Sequence, residues 1–152
     1  MSRVTNALVE ATDISTSLLA VRLPPPRPPV ADDRPDVVLL VLDTTRADRL
    51  GCYGYGKAQT PNIDELAATG VLFENAICQA PLTLPSHVSI LTGTQPPFHG
   101  VRDNGGFYLE DRFVTLAEVL REQSYATSAF VGAFVLDSRW GLAQGFETYD
   151  DG

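Results

Sequence analysis

Cysteine is scarce in this sequence: Cys52 and Cys78 are the only two in 152 residues. Two thiols so placed form neither a disulfide framework nor a zinc-ligand or C-x-x-C spacing, and both are expected as buried free thiols. Basic residues are also few, eleven against nineteen acids, for a net charge of -8. A surface with that excess repels phosphate backbones, so no nucleic-acid partner is expected. Long apolar runs are missing as well. The longest, residues 37–42, is far too short to cross a bilayer, and Glu10 and Asp13 interrupt the stretch where a signal peptide would be apolar. As written the chain carries no membrane span and reads as cytoplasmic, with an upstream signal left open; oligomeric state is open too. What is present is the balance of a folding protein, 44% hydrophobic and 20% charged, at a length suited to one domain.

Residues 23–30 read Leu-Pro-Pro-Pro-Arg-Pro-Pro-Val, where fixed φ angles and missing amide donors forbid a packed helix or a central strand. Residues 1–34 are therefore expected to be an amino-terminal tail, with a short helix over residues 7–19, and a stiff linker. Residues 35–152 form the folded part. It opens with residues 36–42, a continuous β-branched apolar run of the kind buried on both faces of a parallel sheet. Thr60 and Pro61 read as a cap and a first helical residue, with Ile63, Leu66 and Ala67 as the apolar stripe and Gly70 closing the helix in a left-handed turn. Residues 71–73 read as a second strand. Pro85 and Ser86 open another helix that Gly93 stops, Thr115 and Glu118 fit a capping box, and residues 125–131 read as a third strand. Strands alternating with helices in this way predict an α/β layer with right-handed crossovers.

Ligands gather beyond the carboxyl ends of strands in such sheets, and Asp43 stands at that place after the first strand. A carboxylate there is a metal ligand or a nucleophile, or caps a helix starting near Thr45. Thr83 puts a hydroxyl at the amino end of a helix, where free amides and the helix dipole favour an alkoxide and the anion it attacks. A threonine hydroxyl needs a base or a divalent cation to activate it; otherwise Thr83 is an ordinary cap.

Several linked motifs join these two positions. Leu42-Asp-Thr-Thr-Arg-Ala-Asp48, Gly51-Cys-Tyr-Gly54, Thr60-Pro-Asn-Ile-Asp-Glu-Leu66, Leu82-Thr-Leu-Pro-Ser-His-Val-Ser-Ile-Leu-Thr-Gly93 and Gly145-Phe-Glu-Thr-Tyr149 occur in order. From about Pro35 onward the chain resembles the amino-terminal half of the sulfatase-like branch of the alkaline phosphatase superfamily. The resemblance implies a partial alkaline-phosphatase-like three-layer α/β/α fold with a mostly parallel sheet, its second half lying beyond Gly152. It implies a hydrolase acting on a small anionic ester through one divalent metal ion, Ca, Mg, Mn or Zn, and ligands from outside this chain.

Carried over by position, Asp43 and Thr44 match metal-binding positions, the second often an aspartate in the family. Thr83 falls where sulfatases carry the cysteine or serine converted to formylglycine in the pattern C-x-P-x-R. Threonine cannot undergo that conversion. Members with threonine there look like phosphate, phosphonate or phospholipid-headgroup hydrolases and transferases in which a metal-bound alkoxide attacks phosphorus, so Thr83 is read as nucleophile and metal ligand. His87 replaces the motif's arginine and is read as a donor to the nucleophile or substrate, or as a helix-packing residue. Asn104 matches an asparagine that binds the transferred group, or is a turn residue before Gly105 and Gly106. Arg46 binds an anion or pairs with a nearby carboxylate, pairing being favoured. Gly132-Ala-Phe-Val135 stands where classical sulfatases have G-K-W-H, so the lysine and histidine that assist the leaving group are absent. His99 is read as structural. The competing expectation is a non-catalytic α/β binding module, or an inactive truncated product.

Overall fold

Helix starts follow the local chemistry of the chain. Pro61, whose fixed φ and missing amide suit a first helical position, begins α1 (Pro61–Thr69). The helix α2 (Thr83–Thr92) carries Leu84 and Val88 one turn apart on its buried face and ends at Gly93, whose φ of 66° is the left-handed cap a side chain resists. A short helix, α3 (Pro96–His99), follows at once. Before α4 (Leu116–Glu122) the Thr115 hydroxyl accepts the Glu118 amide while the Glu118 carboxylate accepts the Thr115 amide, the reciprocal capping box expected from those two residues. The computed structural model describes residues 34–152, so the expected helix over residues 7–19 and the proline-rich linker lie outside the described residues.

Two strands, β1 (Ser128–Phe130) and β2 (Thr148–Asp150), pair in parallel with Ser128 opposite Thr148 and Phe130 opposite Asp150. The crossover between them runs through two 3-10 turns, Phe134–Leu136 and Ser138–Trp140, rather than through a helix. The third expected strand is thus present but shorter than residues 125–131. Residues 36–42 and 71–73, expected as strands, have no regular secondary structure, and most of their apolar side chains are exposed. A β-branched run supplies the propensity for a strand, but a ladder also needs a neighbour with free amides and carbonyls. Among the described residues β1 and β2 find only each other.

Within Leu40–Gly152, which forms a compact unit, the core gathers Leu84 and Val88 of α2 with Val101, Leu109, Phe113, Leu136 and Leu142. Loops are tied to it by buried polar bonds. The Leu109 amide donates to the Trp140 carbonyl at 2.8 Å, and the Thr115 hydroxyl donates to the Gln144 carbonyl at 2.9 Å. Two glycines make this packing possible. Both Gly141 and Gly145 have positive φ, and a Cβ would run into the Leu109 carbonyl at the first and the Glu118 amide at the second.

Other expectations need correction. Gly70 closes α1 with φ of -109°, not in a left-handed turn, and Leu66 lies on the exposed side of that helix. Neither cysteine is buried: Cys52 is half-buried and Cys78 exposed.

Candidate active site

Asp43 and Thr83, forty residues apart in sequence, meet. The Thr83 Oγ1 hydroxyl donates to Asp43 Oδ2 at 3.1 Å, and the other carboxylate oxygen accepts the Thr44 amide at 2.8 Å. Asp43 caps no helix. The nearest turn, Ala47–Arg49, is entered from Arg46 instead. Thr44 itself has φ of 60°, which a β-branched residue adopts only at a cost of about 1–3 kcal/mol when its surroundings hold it there.

Thr83 is the first residue of α2 and not its cap; Leu82 occupies the cap position and, being apolar, caps no amide. The first turn of a helix has amides with no partner of their own. Here Pro85 has none to offer, the Ser86 amide returns to the Leu82 carbonyl, and the Leu84 amide donates to Asn104 Oδ1 at 2.9 Å. Asn104 therefore caps α2 from a distant loop. Because its oxygen faces the helix, its Nδ2 amide is directed elsewhere as a donor.

His87 sits one turn after Thr83, with Nδ1 2.8 Å from the Thr83 carbonyl. A carbonyl only accepts, so Nδ1 carries the proton, and Nε2 is the nitrogen left for other work. Arg46 is committed to Asp48 through two bonds, Nε to Oδ1 at 2.9 Å and Nη2 to Oδ2 at 2.8 Å. Both side chains are exposed, and a pair of that kind is worth about 0–1 kcal/mol.

A divalent cation tests this donor set. Hard cations take six or more oxygens, usually several from carboxylates. Asp43 supplies one carboxylate and Thr83 one hydroxyl, while the Thr44 amide already points into Asp43. Among the described residues no group of three His, Cys, Asp or Glu side chains converges. These residues do not by themselves fit a bound metal.

Further along the chain from Asp43, Asp64 and Thr60 form a latch on Gly51 and Cys52 that the sequence motifs did not reveal. The Cys52 amide donates to Asp64 Oδ1 at 2.6 Å, the Gly51 amide donates to Thr60 Oγ1 at 3.1 Å, and the Thr60 hydroxyl donates to Asp64 at 3.2 Å. The available signal was the i, i+4 spacing of Thr60 and Asp64 at a helix start. His99 is fully buried and structural: its Nδ1 accepts the Val101 amide at 3.1 Å, which leaves Nε2 as the donor to Ser89 Oγ at 3.1 Å. Burial lowers its pKa from the ordinary histidine value.

The sequence pattern of the Sulfatase family matches residues 35–151. The chain belongs to that family. Mouse (Mus musculus) iduronate 2-sulfatase is 36% identical over 99 residues, covering 64% of this chain and 18% of the relative. Human (Homo sapiens) arylsulfatase A is 35% identical over 120 residues, covering 74% and 22%. Among solved structures, the phosphonate monoester hydrolase of Agrobacterium radiobacter superposes with a TM-score of 0.58 at 28% identity, covering 68% of this chain and 23% of that one. The chain thus spans about a fifth of the length of these relatives. Its parallel strands and helices are part of an alkaline-phosphatase-like α/β fold, and it is a sulfatase-like member of the alkaline phosphatase superfamily.

Proposed function

We propose that this chain is the nucleophile-bearing part of a hydrolase of sulfate- or phosphate-type esters, with Thr83 as the attacking group. The observation that carries the reading is the bond from Thr83 Oγ1 to Asp43 Oδ2. It puts the hydroxyl proton within transfer distance of a carboxylate and turns an oxygen lone pair outward at a helix amino terminus.

In this reading an anionic ester binds against the first turn of α2. Asn104 Nδ2 donates to an oxygen of the transferred group, and Arg46 exchanges its weak bond with Asp48 for the anion. The Thr83 oxygen attacks sulfur or phosphorus as its proton passes to Asp43, and the bond to the leaving alcohol oxygen breaks. Water then cleaves the threonine ester and regenerates the hydroxyl. A threonine ester cannot collapse to an aldehyde, so this second step needs an activated water; phosphoryl transfer suits it, and phosphate or phosphonate esters are proposed ahead of sulfate esters. The leaving group departs without the lysine and histidine that Gly132-Ala-Phe-Val135 lacks. His87 orients Thr83 through its carbonyl and keeps Nε2 free for a substrate oxygen's proton.

In the proposed reading the hydrolase is cation-dependent, and Asp43, Thr44 and Thr83 would form one side of a site for Ca, Mg, Mn or Zn, the other ligands coming from outside these residues. The test is turnover of aryl sulfate, aryl phosphate and aryl phosphonate esters by Thr83→Ala in the active full-length enzyme. A loss of at least about a thousand-fold with an unchanged melting temperature is expected. Retained turnover ends the assignment.

A second reading, a binding module that kept the fold without the reaction, is favoured by Thr44 at a position that is often an aspartate and by Gly132-Ala-Phe-Val135 at the leaving-group position. Titration calorimetry with each of the four cations separates the two. Binding lost in Asp43→Ala supports the hydrolase, and no binding to the full-length protein supports the module.

A further inference from the structure

The turn that presents Asp43 is strained at one end and fastened at the other. At the near end Thr44 holds a left-handed φ of 60°, and the turn is closed by a long bond from the Thr45 amide to the Leu42 carbonyl at 3.3 Å. Exposed residues in such a conformation persist only when the surroundings fix them. The side chains of Arg46 and Asp48 bond to each other, and among the described residues they tie the turn to no other element. After the 3-10 turn Ala47–Arg49 a second one, Gly51–Tyr53, opens with Gly51 and Cys52, whose adjacent amides are gripped by Thr60 and Asp64 at the start of α1.

That grip has the marks of a dedicated device. The Cys52 bond is short and its acceptor ionised, the stronger class of hydrogen bond. Thr60 stands at the cap position of α1, yet its hydroxyl caps no amide of its own helix; it bridges Gly51 and Asp64 instead. Gly51 is required by the fit, because a Cβ there would collide with the Asp64 carboxylate.

We infer that Asp64, acting through the Cys52 amide and with Thr60 on Gly51, is a positioning residue that braces the loop carrying Thr44, Asp43 and Arg46. This rests on the reading of Asp43 and Thr83 as the site and names what holds Asp43 in place. The experiment uses no turnover, so its failure and the failure of the hydrolase reading are separate results.

Amide hydrogen exchange, followed residue by residue in the 152-residue chain, tests it. The Thr44 amide reports Asp43 directly, since it donates to Asp43 Oδ1. Asp64→Ala is expected to speed exchange at Cys52 and at Thr44 by about ten- to a hundred-fold, leaving the core amide of Leu109 unchanged. Asp64→Asn, which keeps an oxygen for Cys52, is expected to restore most of the Thr44 protection. Thr60→Val carries the same test if Asp64→Ala does not fold, with a smaller but parallel rise at Cys52 and Thr44. Acceleration confined to Gly51 and Cys52, with Thr44 unchanged, overturns the inference. So does acceleration spread equally to Leu109, or an Asp64→Asn variant as fast at Thr44 as Asp64→Ala.

Discussion

Replacing Asn104 separates two jobs that one side chain holds in this structure. Its Oδ1 takes the amide of Leu84, a residue with no exposed surface in the first turn of α2. In Asn104→Ala that donor loses its acceptor in a place water reaches poorly. Cap removal and a stranded buried amide describe the same bond, so they are counted once, at about 1–2 kcal/mol. For a unit of this size that lowers the melting temperature by roughly 4–8 °C. Asn104→Asp keeps an oxygen in the same place and sets a negative charge at a helix amino terminus, worth about 0.3–1 kcal/mol in its favour, with Asp43 and Asp103 opposing it. Its stability should stay within about 0.5 kcal/mol of the parent. Neither variant keeps the Nδ2 donor, so both should lose turnover. The assay is urea unfolding followed through Trp140, the single tryptophan, alongside ester hydrolysis. If Asn104→Ala is as stable as the parent, or Asn104→Asp is as unstable as Asn104→Ala, the capping role is refuted.

Two other outcomes follow from particular residues. Thr44→Gly removes a β-branched side chain from a left-handed position, a relief of about 1–2 kcal/mol, against about 0.5–1 kcal/mol for the greater freedom of glycine in the unfolded chain. A net gain of about 0.5–1 kcal/mol in urea unfolding is expected, and a loss would show that Thr44 is unstrained. For His99, the folded state holds the ring neutral, with Val101 and Ser89 at its two nitrogens, whereas the unfolded chain takes up a proton near pH 6.5. Its contribution is complete above that pH and is lost as pH falls below it toward the lowered folded value, at up to about 1.4 kcal/mol per pH unit. Unfolding measured between pH 7.5 and 5.5 should show this slope in the parent and not in His99→Gln; equal slopes would refute it.

How far the sequence disclosed this structure depended on the range of the interaction involved. Caps and helix starts are local, so Pro61, Gly93 and the Thr115–Glu118 box could be placed from their neighbours alone, whereas the face of α1 that carries Leu66 was not. Strands are settled by pairing, and residues 36–42 have the composition of a buried strand without a neighbour to pair with among the described residues. The meeting of Asp43 with Thr83 spans forty positions, and only the linked motifs between them pointed to it. Asn104 was singled out by its match to a substrate-binding asparagine, with a turn as the alternative, and neither reading pointed to the bond that runs back twenty residues to Leu84. Asp64 gave only the weak sign of its spacing from Thr60, because a carboxylate in the first turn of a helix is already favoured there for its own sake.

Thr83 lies at the surface end of α2 and Leu84, the next residue, is sealed inside the core, so adjacent positions answer to different demands. The interior constrains position 84 tightly in size and shape. Position 83, half-buried and outside the core cluster, is constrained more by what its oxygen can reach. A serine or cysteine could replace the threonine with the scaffold none the wiser, which lets the reactive group of such a protein be exchanged as an isolated part while its support stays fixed.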